Sequence, residues 1–406
     1  MVSVVKIVLG LNVLWSMAFS LMMMGFQDFM MTLYGYEHFE HIFFFFLFSL
    51  FLSFFFKLTT THGDLFFLHK KLTTTHGVSF LLAKKTNRMD MDGMFPEIAA
   101  SKNKGDLYDY AYQNFYNMGF SLMLMNIIYL PTVSRGNNES MGRLSLVSSI
   151  MWSVFAITSY SDSQNDAMSA KMKEGTTANL VIFGLFAVGG FVGFLTSGAK
   201  SPGSWVKADD MRAPRNYPAK SPPWYWVMRW NMLLLVFYAG MFILMGDKMM
   251  VDYNMPTEMQ DTTTALGFFS KMMFKNIGLN FFFGACSMAA ILSAHDGITI
   301  FRVSTSIAMW CMVSIASASQ AKMFARSKGQ DTSPWNVQIF VGIVSCLLYS
   351  FFVVKPYMWM FMFVAKEAAG IDQMRTSDDA MDKETRAKWD KLFDRMKAHQ
   401  QKLKSA

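Results

Sequence analysis

Apolar residues fall along this chain in long blocks separated by polar stretches. A block of about 20 mostly apolar residues is the length of a membrane-spanning helix. About eight segments reach or approach that length: residues 7–26, 112–130, 144–160, 179–198, 231–250, 274–293, 299–318 and 337–354. The third is short and can extend through Ser and Tyr at either end. Between the fourth and fifth, Pro202, Pro214, Pro218, Pro222 and Pro223 crowd a charged stretch, a density that forbids a helix and marks a surface linker. Trp224, Tyr225, Trp226 and Trp230 follow where the chain re-enters the membrane, as interfacial aromatics do.

The two sides of that linker repeat one another. A pattern D-x-M-M-x-x-Y runs from Asp28 to Tyr34 and again from Asp247 to Tyr253, each time after a Met-Gly pair (Met24-Gly25, Met245-Gly246). Ser149-Ile150-Met151-Trp152 matches Ile307-Ala308-Met309-Trp310, and each run is entered through a serine, Ser148 or Ser306. The fourth and eighth segments begin at Asn179 and Asn336, and Asn114 and Asn276 open the second and sixth. An even number of spans per copy makes the repeats parallel. The expected fold is therefore all-α integral membrane: about eight transmembrane helices as two parallel four-helix repeats, plus a C-terminal amphipathic helix. The units are 1–198 and 231–365, joined by the Pro-rich linker 199–230 and followed by a basic tail, 366–406. The tail carries Trp389, Leu392, Phe393 and Met396 on one stripe, with acids leading and bases trailing, as suits a helix on a membrane surface or on a partner.

One region, 42–88, has no counterpart in the second unit. Residues 42–56 are almost all Phe, Leu and Ser, and two fourteen-residue units beginning Lys-Leu-Thr-Thr-Thr-His-Gly follow. Pyrimidine-only codons can encode that tract, so it reads as retained non-coding sequence or a recent insertion; the alternative is a short membrane-dipping segment. Sequencing mature transcript separates the two.

Composition sharpens the class. The 406 residues are 52% hydrophobic and 16% charged, too little charge for a soluble surface of this size. Phe (40) and Met (38) are abundant, which suits irregular contact with lipid, pigment or neighbouring helices. The net charge of +8 is concentrated in the linker and the tail. That places both termini and the linker on the non-translocated side and gives no sign of nucleic-acid binding. Residues 7–26 are long enough to be a first span or uncleaved anchor.

Candidate chemistry is sparse. The spans carry almost no charge at mid-depth, whereas ion-coupled transport needs a buried carboxylate or histidine. Asn114, Asn117, Asn276 and Asn280 can make interhelical polar contacts. Gly184, Gly189, Gly190 and Gly193 form a small-residue packing face on the fourth span. Cys286, Cys311 and Cys346 lack disulfide or zinc spacing. His38 and His41 have i, i+3 spacing but are too few for a metal site, and His295-Asp296-Gly297 reads as a turn or as an acid–base pair. Asn138-Glu139-Ser140 is a glycosylation sequon on the non-translocated side.

Tyr34-Gly35 after the first helix, and Arg143 and Arg302 beside the third helix of each unit, resemble the pattern of the DoxX-like superfamily of small four-helix membrane proteins. The resemblance implies a four-helix bundle, often an accessory partner of membrane redox systems, and carries no catalytic residues. Taken together, the chain reads as a non-catalytic polytopic membrane protein. The expected role is an accessory or scaffold subunit of a larger membrane complex, such as an organellar energy-converting one. Its partners would be membrane lipids and other membrane subunits, with a bound lipid, quinone or pigment compatible. The alternatives are a transporter or channel for a lipid or small apolar molecule, and a membrane redox enzyme.

Overall fold

The computed structural model describes residues 3–25, 95–102, 104–200, 202, 223–294 and 297–351. Within them the chain is all-helical: α1 (Val4–Gly25), α2 (Pro96–Ala100), α3 (Lys104–Arg135), α4 (Asn138–Ser163), α5 (Ala170–Ser197), α6 (Pro223–Leu244), α7 (Gly246–Asp252), α8 (Thr257–Gln260), α9 (Ala265–Ser293), α10 (Gly297–Ser327) and α11 (Ser333–Tyr349). The 42–88 tract, the bulk of the linker, His38, His41, His295, Asp296, Tyr34, Gly35 and the basic tail lie outside the described residues.

Local chemistry sets the helix ends. The N–H groups of Ser140, Met172 and Gly267 donate to the side chains of Asn137, Ser169 and Thr264, so α4, α5 and α9 each start on a side-chain cap. Gly198 closes α5 at φ +69°, the left-handed position that favours glycine. Proline opens α6 at Pro223, where its missing N–H costs nothing. The fifth apolar block is accordingly helical eight residues before 231 and breaks at Met245, with α7 continuing after it. The third block, short in sequence, is a 26-residue helix.

Among the described residues, five helices (α1, α4, α5, α6 and α9) are long and apolar enough to cross a membrane, and α11 is apolar but shorter. The described residues are thus all-helical, of the multi-pass membrane class. Apolar side chains cover much of the outer surface: Leu185 and Leu195 on α5, Leu233 and Phe237 on α6, Phe340 and Leu347 on α11 are all exposed. Water would penalise that surface and lipid does not.

Inside, α3 and α9 pack together through Asn280, whose Nδ2 donates to Ser121 Oγ at 2.8 Å, and through Gly284 over Leu124. On the first side, α1 packs on α3 where Gly119 meets Met23, Met24 and the Ser20 carbonyl. On the second, α6 packs on α9 where Gly278 meets Phe242, Ile243 and the Ala239 carbonyl. Helices α4 and α5 pair closely, as do α10 and α11. The outer pairs then cross over. Asp162, at the end of α4, holds Lys275 of α9 at 2.6 and 2.7 Å. Lys328, just past α10, bonds Asp106 of α3, and Trp310 of α10 stacks on Phe120 of α3 at 5.3 Å.

Candidate functional site

Where α6, α9, α10 and α11 meet α3, they border a partly open cavity of about 170 Å³. Aromatic rings, among them Phe120, Tyr238, Phe242, Phe281 and Trp310, form a large part of its wall. No Asp, Glu, Lys, Arg or His is among its lining residues. An ionised ligand would find no counter-charge there, and desolvating it would be prohibitive. The polar groups are neutral amides and hydroxyls, including Asn117, Asn231, Ser314, Ser317 and Ser345.

Each amide has a definite geometry. Asn117 Oδ1 accepts from Gln113 Nε2 of the preceding turn at 3.1 Å. Asn231, early in α6, donates from Nδ2 to the Tyr349 hydroxyl on α11 at 3.0 Å. Gln338 of α11 donates to the Tyr253 hydroxyl after α7, and Trp335 meets the Tyr253 ring edge-on at 4.9 Å. Trp310 stands apart. Its Nε1 is buried and has no acceptor, although an indole N–H removed from water normally finds one.

A comparable contact lies between α1 and α4. Trp152 of α4 donates from Nε1 to Asn12 Oδ1 of α1 at 2.7 Å. Asn12 Nδ2 in turn donates to Ser148 Oγ. Phe183 and Phe186 of α5 pack on the Trp152 ring at 5.1 and 5.4 Å. Every polar atom of the Asn12–Trp152 contact is used, and rings occupy the surrounding space.

The residues singled out from sequence are distributed as follows. Asn280 bridges α9 to α3, as above. Asn117 lines the cavity. Asn114 is fully buried in α3, and neither its Nδ2 nor its Oδ1 has a partner. Asn276 is half-buried on α9. Of the α5 glycines, Gly190 and Gly193 press against α4, where an added Cβ would meet Ser145 and Ser149 atoms at 3.0 Å or less. Gly189 borders Val8 of α1, and Gly184 faces open space. The close-packed face is therefore Gly190 and Gly193, not all four. Cys286, Cys311 and Cys346 are free thiols; only Cys311 lines the cavity. Among the described residues, no group of three His, Cys, Asp or Glu side chains could hold a metal ion.

Sequence reasoning missed Asn12, Asn231 and the Trp152/Trp310 contrast. The signal was present: Asn12 and Asn231 each stand sixteen residues ahead of Asp28 and Asp247, the start of the repeated D-x-M-M-x-x-Y. No protein-family model, curated protein or solved structure matches the chain.

Proposed function

We propose that this is a non-catalytic, multi-pass membrane protein that binds a small uncharged molecule within its second half. It acts as an accessory component that holds a ligand and converts nothing. The observation that carries the reading is the cavity itself: about 170 Å³, lined by aromatic and aliphatic side chains and neutral hydrogen-bonding groups, with no Asp, Glu, Lys, Arg or His among its lining residues. Such a concave, mostly apolar site with a few convergent polar groups is the usual form of a small-molecule site.

The architecture belonging to this reading is a pair of parallel four-helix units, similar to DoxX-like bundles, with both termini on the non-translocated side. Helices α1, α3, α4 and α5 make the first unit, and α6, α9, α10 and α11 the second. Three observations support it. Gly119 and Gly278 stand in one relation to the helix before them, touching Met23, Met24 and Ser20 in one case and Phe242, Ile243 and Ala239 in the other. That register also aligns Asn12 with Asn231, and pairs Phe115-x-Asn117-x-Gly119 with Phe274-x-Asn276-x-Gly278. Asn276 therefore corresponds to Asn117, not to Asn114. Finally, the third helix of each unit packs on the second helix of the other (α4 on α9, α10 on α3), as a two-fold relation requires. Helices α3 and α10, of 32 and 31 residues, are more than long enough to span a bilayer. Buried Asn114, Ser121 and Asn126 on α3 and Ser304 on α10 account for their lower hydropathy.

The test is to purify the full chain in a mild detergent and identify co-purifying molecules by native mass spectrometry, alongside Ser314→Phe, which places a ring in the cavity. A neutral species present in the wild type and missing from the folded variant is expected. The same complement in both would refute the reading.

A further inference from the structure

The lining of the cavity is drawn out along the helix axes. It runs from Tyr110 to Phe120 on α3, from Asn231 to Phe242 on α6 and from Trp335 to Ser345 on α11. Each stretch covers about three turns, or ~15 Å at 1.5 Å per residue. On α10, Cys311, Ser314, Ala318, Ala321 and Ala325 line it at spacings of three and four, so one face of small side chains forms a trough. The two ends differ. At one, Gln338 bonds the Tyr253 hydroxyl, Gln330 donates to the Asn254 carbonyl at 2.9 Å, and the Tyr110 ring meets Phe324 at 5.3 Å. The ion pair of Lys328 with Asp106 and Asp109 lies beside this end, which marks it as the membrane surface. At the other end, Phe120 and Trp310 stack near the midpoints of α3 and α10. The cavity thus runs from one membrane surface to mid-depth, and its ~15 Å is half of the ~30 Å hydrocarbon core.

We propose that the cavity is a slot for the acyl chain of an uncharged single-chain lipid of the monoacylglycerol class. The chain lies along the α10 trough with its head at the α10–α11 turn. This deepens, and rests on, the small-molecule reading above. Three properties select that ligand. The length matches the chains of one bilayer leaflet, and a compact molecule would not need three turns of each helix. The volume of about 170 Å³ is little more than the ~150 Å³ of an engineered cavity that holds one benzene, so one chain enters and a second has no room. The polarity follows the same axis. Deep in the slot, Ser314 Oγ is turned to the Cys311 carbonyl of its own helix at 2.8 Å, and Asn231 to Tyr349, which leaves carbon facing the chain. At the surface end, Gln113, Gln330 and Gln338 are neutral amides, partners for the hydroxyl and ester groups of an uncharged head.

The experiment is photolabelling of the full chain in lipid nanodiscs. The probes are two monoacylglycerols with the same fourteen-carbon chain, carrying a diazirine at the third or at the twelfth carbon. Labelled residues are located by peptide mass spectrometry. The third-carbon probe is expected to label peptides around Gln330 and Gln338, and the twelfth-carbon probe those around Phe120 and Trp310. Excess unlabelled monoacylglycerol should lower both labels at least threefold, and an alkyl sulfate of the same chain should not. Ser314→Leu, checked for wild-type elution and helix content, blocks the trough midway; it should lose the deep label and keep the surface one. The proposal is overturned if both probes label the same peptides, or only outward-facing positions such as Phe237 and Leu347. It is equally overturned if the sulfate competes as well as the glyceride, or if folded Ser314→Leu keeps the deep label or loses both together. In any of these cases, a co-purifying species lost from Ser314→Phe would still uphold the small-molecule reading. If Ser314→Phe changes neither the co-purifying species nor any label, both fail.

Discussion

Replacing Gly190 with alanine tests whether the α4–α5 contact is as close as it looks. A Cβ at this position would lie 2.9 Å from the Ser145 carbonyl oxygen, 2.9 Å from Ser149 N and 3.0 Å from Ser149 Cα. All three are backbone atoms, so no side-chain rotation relieves the overlap and the helices must separate. Separation stretches two bonds that cross the interface, Ser145 Oγ to the Gly190 carbonyl at 2.8 Å and Ser149 Oγ to the Ala187 carbonyl at 2.7 Å. Overpacking of this kind costs about 1–3 kcal/mol. The two interhelical bonds, at ~0.6 kcal/mol each in a bilayer, add about 1 kcal/mol. Alanine returns about 1 kcal/mol through its greater helix propensity. The net expectation is a loss of about 1–3 kcal/mol, set chiefly by the overpacking. Gly184 supplies the control, because its Cβ would meet nothing within 4 Å. Gly184→Ala should therefore be stabilising by up to ~1 kcal/mol. Reversible unfolding of both variants in mixed micelles, followed by tryptophan fluorescence, gives the comparison. If Gly190→Ala is as stable as Gly184→Ala, the α4–α5 packing described above is wrong.

Two further expectations concern charge. The Asp162–Lys275 pair joins α4 to α9 with side chains 11% and 29% exposed, between the surface and fully buried cases. A double-mutant cycle with Asp162→Asn and Lys275→Met should give a coupling of about 1–2 kcal/mol, and a value near zero would mean that the pair does not join the halves. Asp331, ahead of α11, accepts from the Ser333 N–H and hydroxyl, and these bonds hold its carboxyl below the ordinary 3.8. A carboxyl depressed in the folded state contributes stability above the unfolded value and loses it as pH falls through the folded one. Acid titration below about pH 4 should accordingly show a destabilising step that Asp331→Asn removes, and an unchanged titration would refute the assignment.

The long apolar helices were legible because lipid asks only for length and hydropathy, and α1, α5 and α9 supply both. Helix ends were less so. The apolar block ends at residue 130, yet the helix runs on through Pro131 to Arg135, since a proline near the last turn removes only one backbone bond. The block begins at 112, although the chain is helical from Lys104 and Leu107, Tyr108, Tyr110 and Ala111 are buried. The site was hidden for a different reason. Its wall draws on five helices from Tyr110 to Ser345, and no local pattern reports that convergence. Nor does the sequence distinguish Trp152 from Trp310, which occupy the same short motif, although Trp152 meets Asn12, Phe183 and Phe186 while Trp310 stacks on Phe120.

The crossing of the outer helices sets a timetable for biosynthesis. Ser121 on α3 finds Asn280 only when a residue 159 positions later has been made. At ~5–20 residues per second, translation takes roughly 8–32 s to reach it. During that interval Ser121 on α3 lacks this partner, and Asp162 on α4 likewise waits for Lys275. Helices α3 and α4 thus lack contacts that α9 later supplies. Chains truncated before α9 should be cleared by membrane quality control, whatever their own hydropathy.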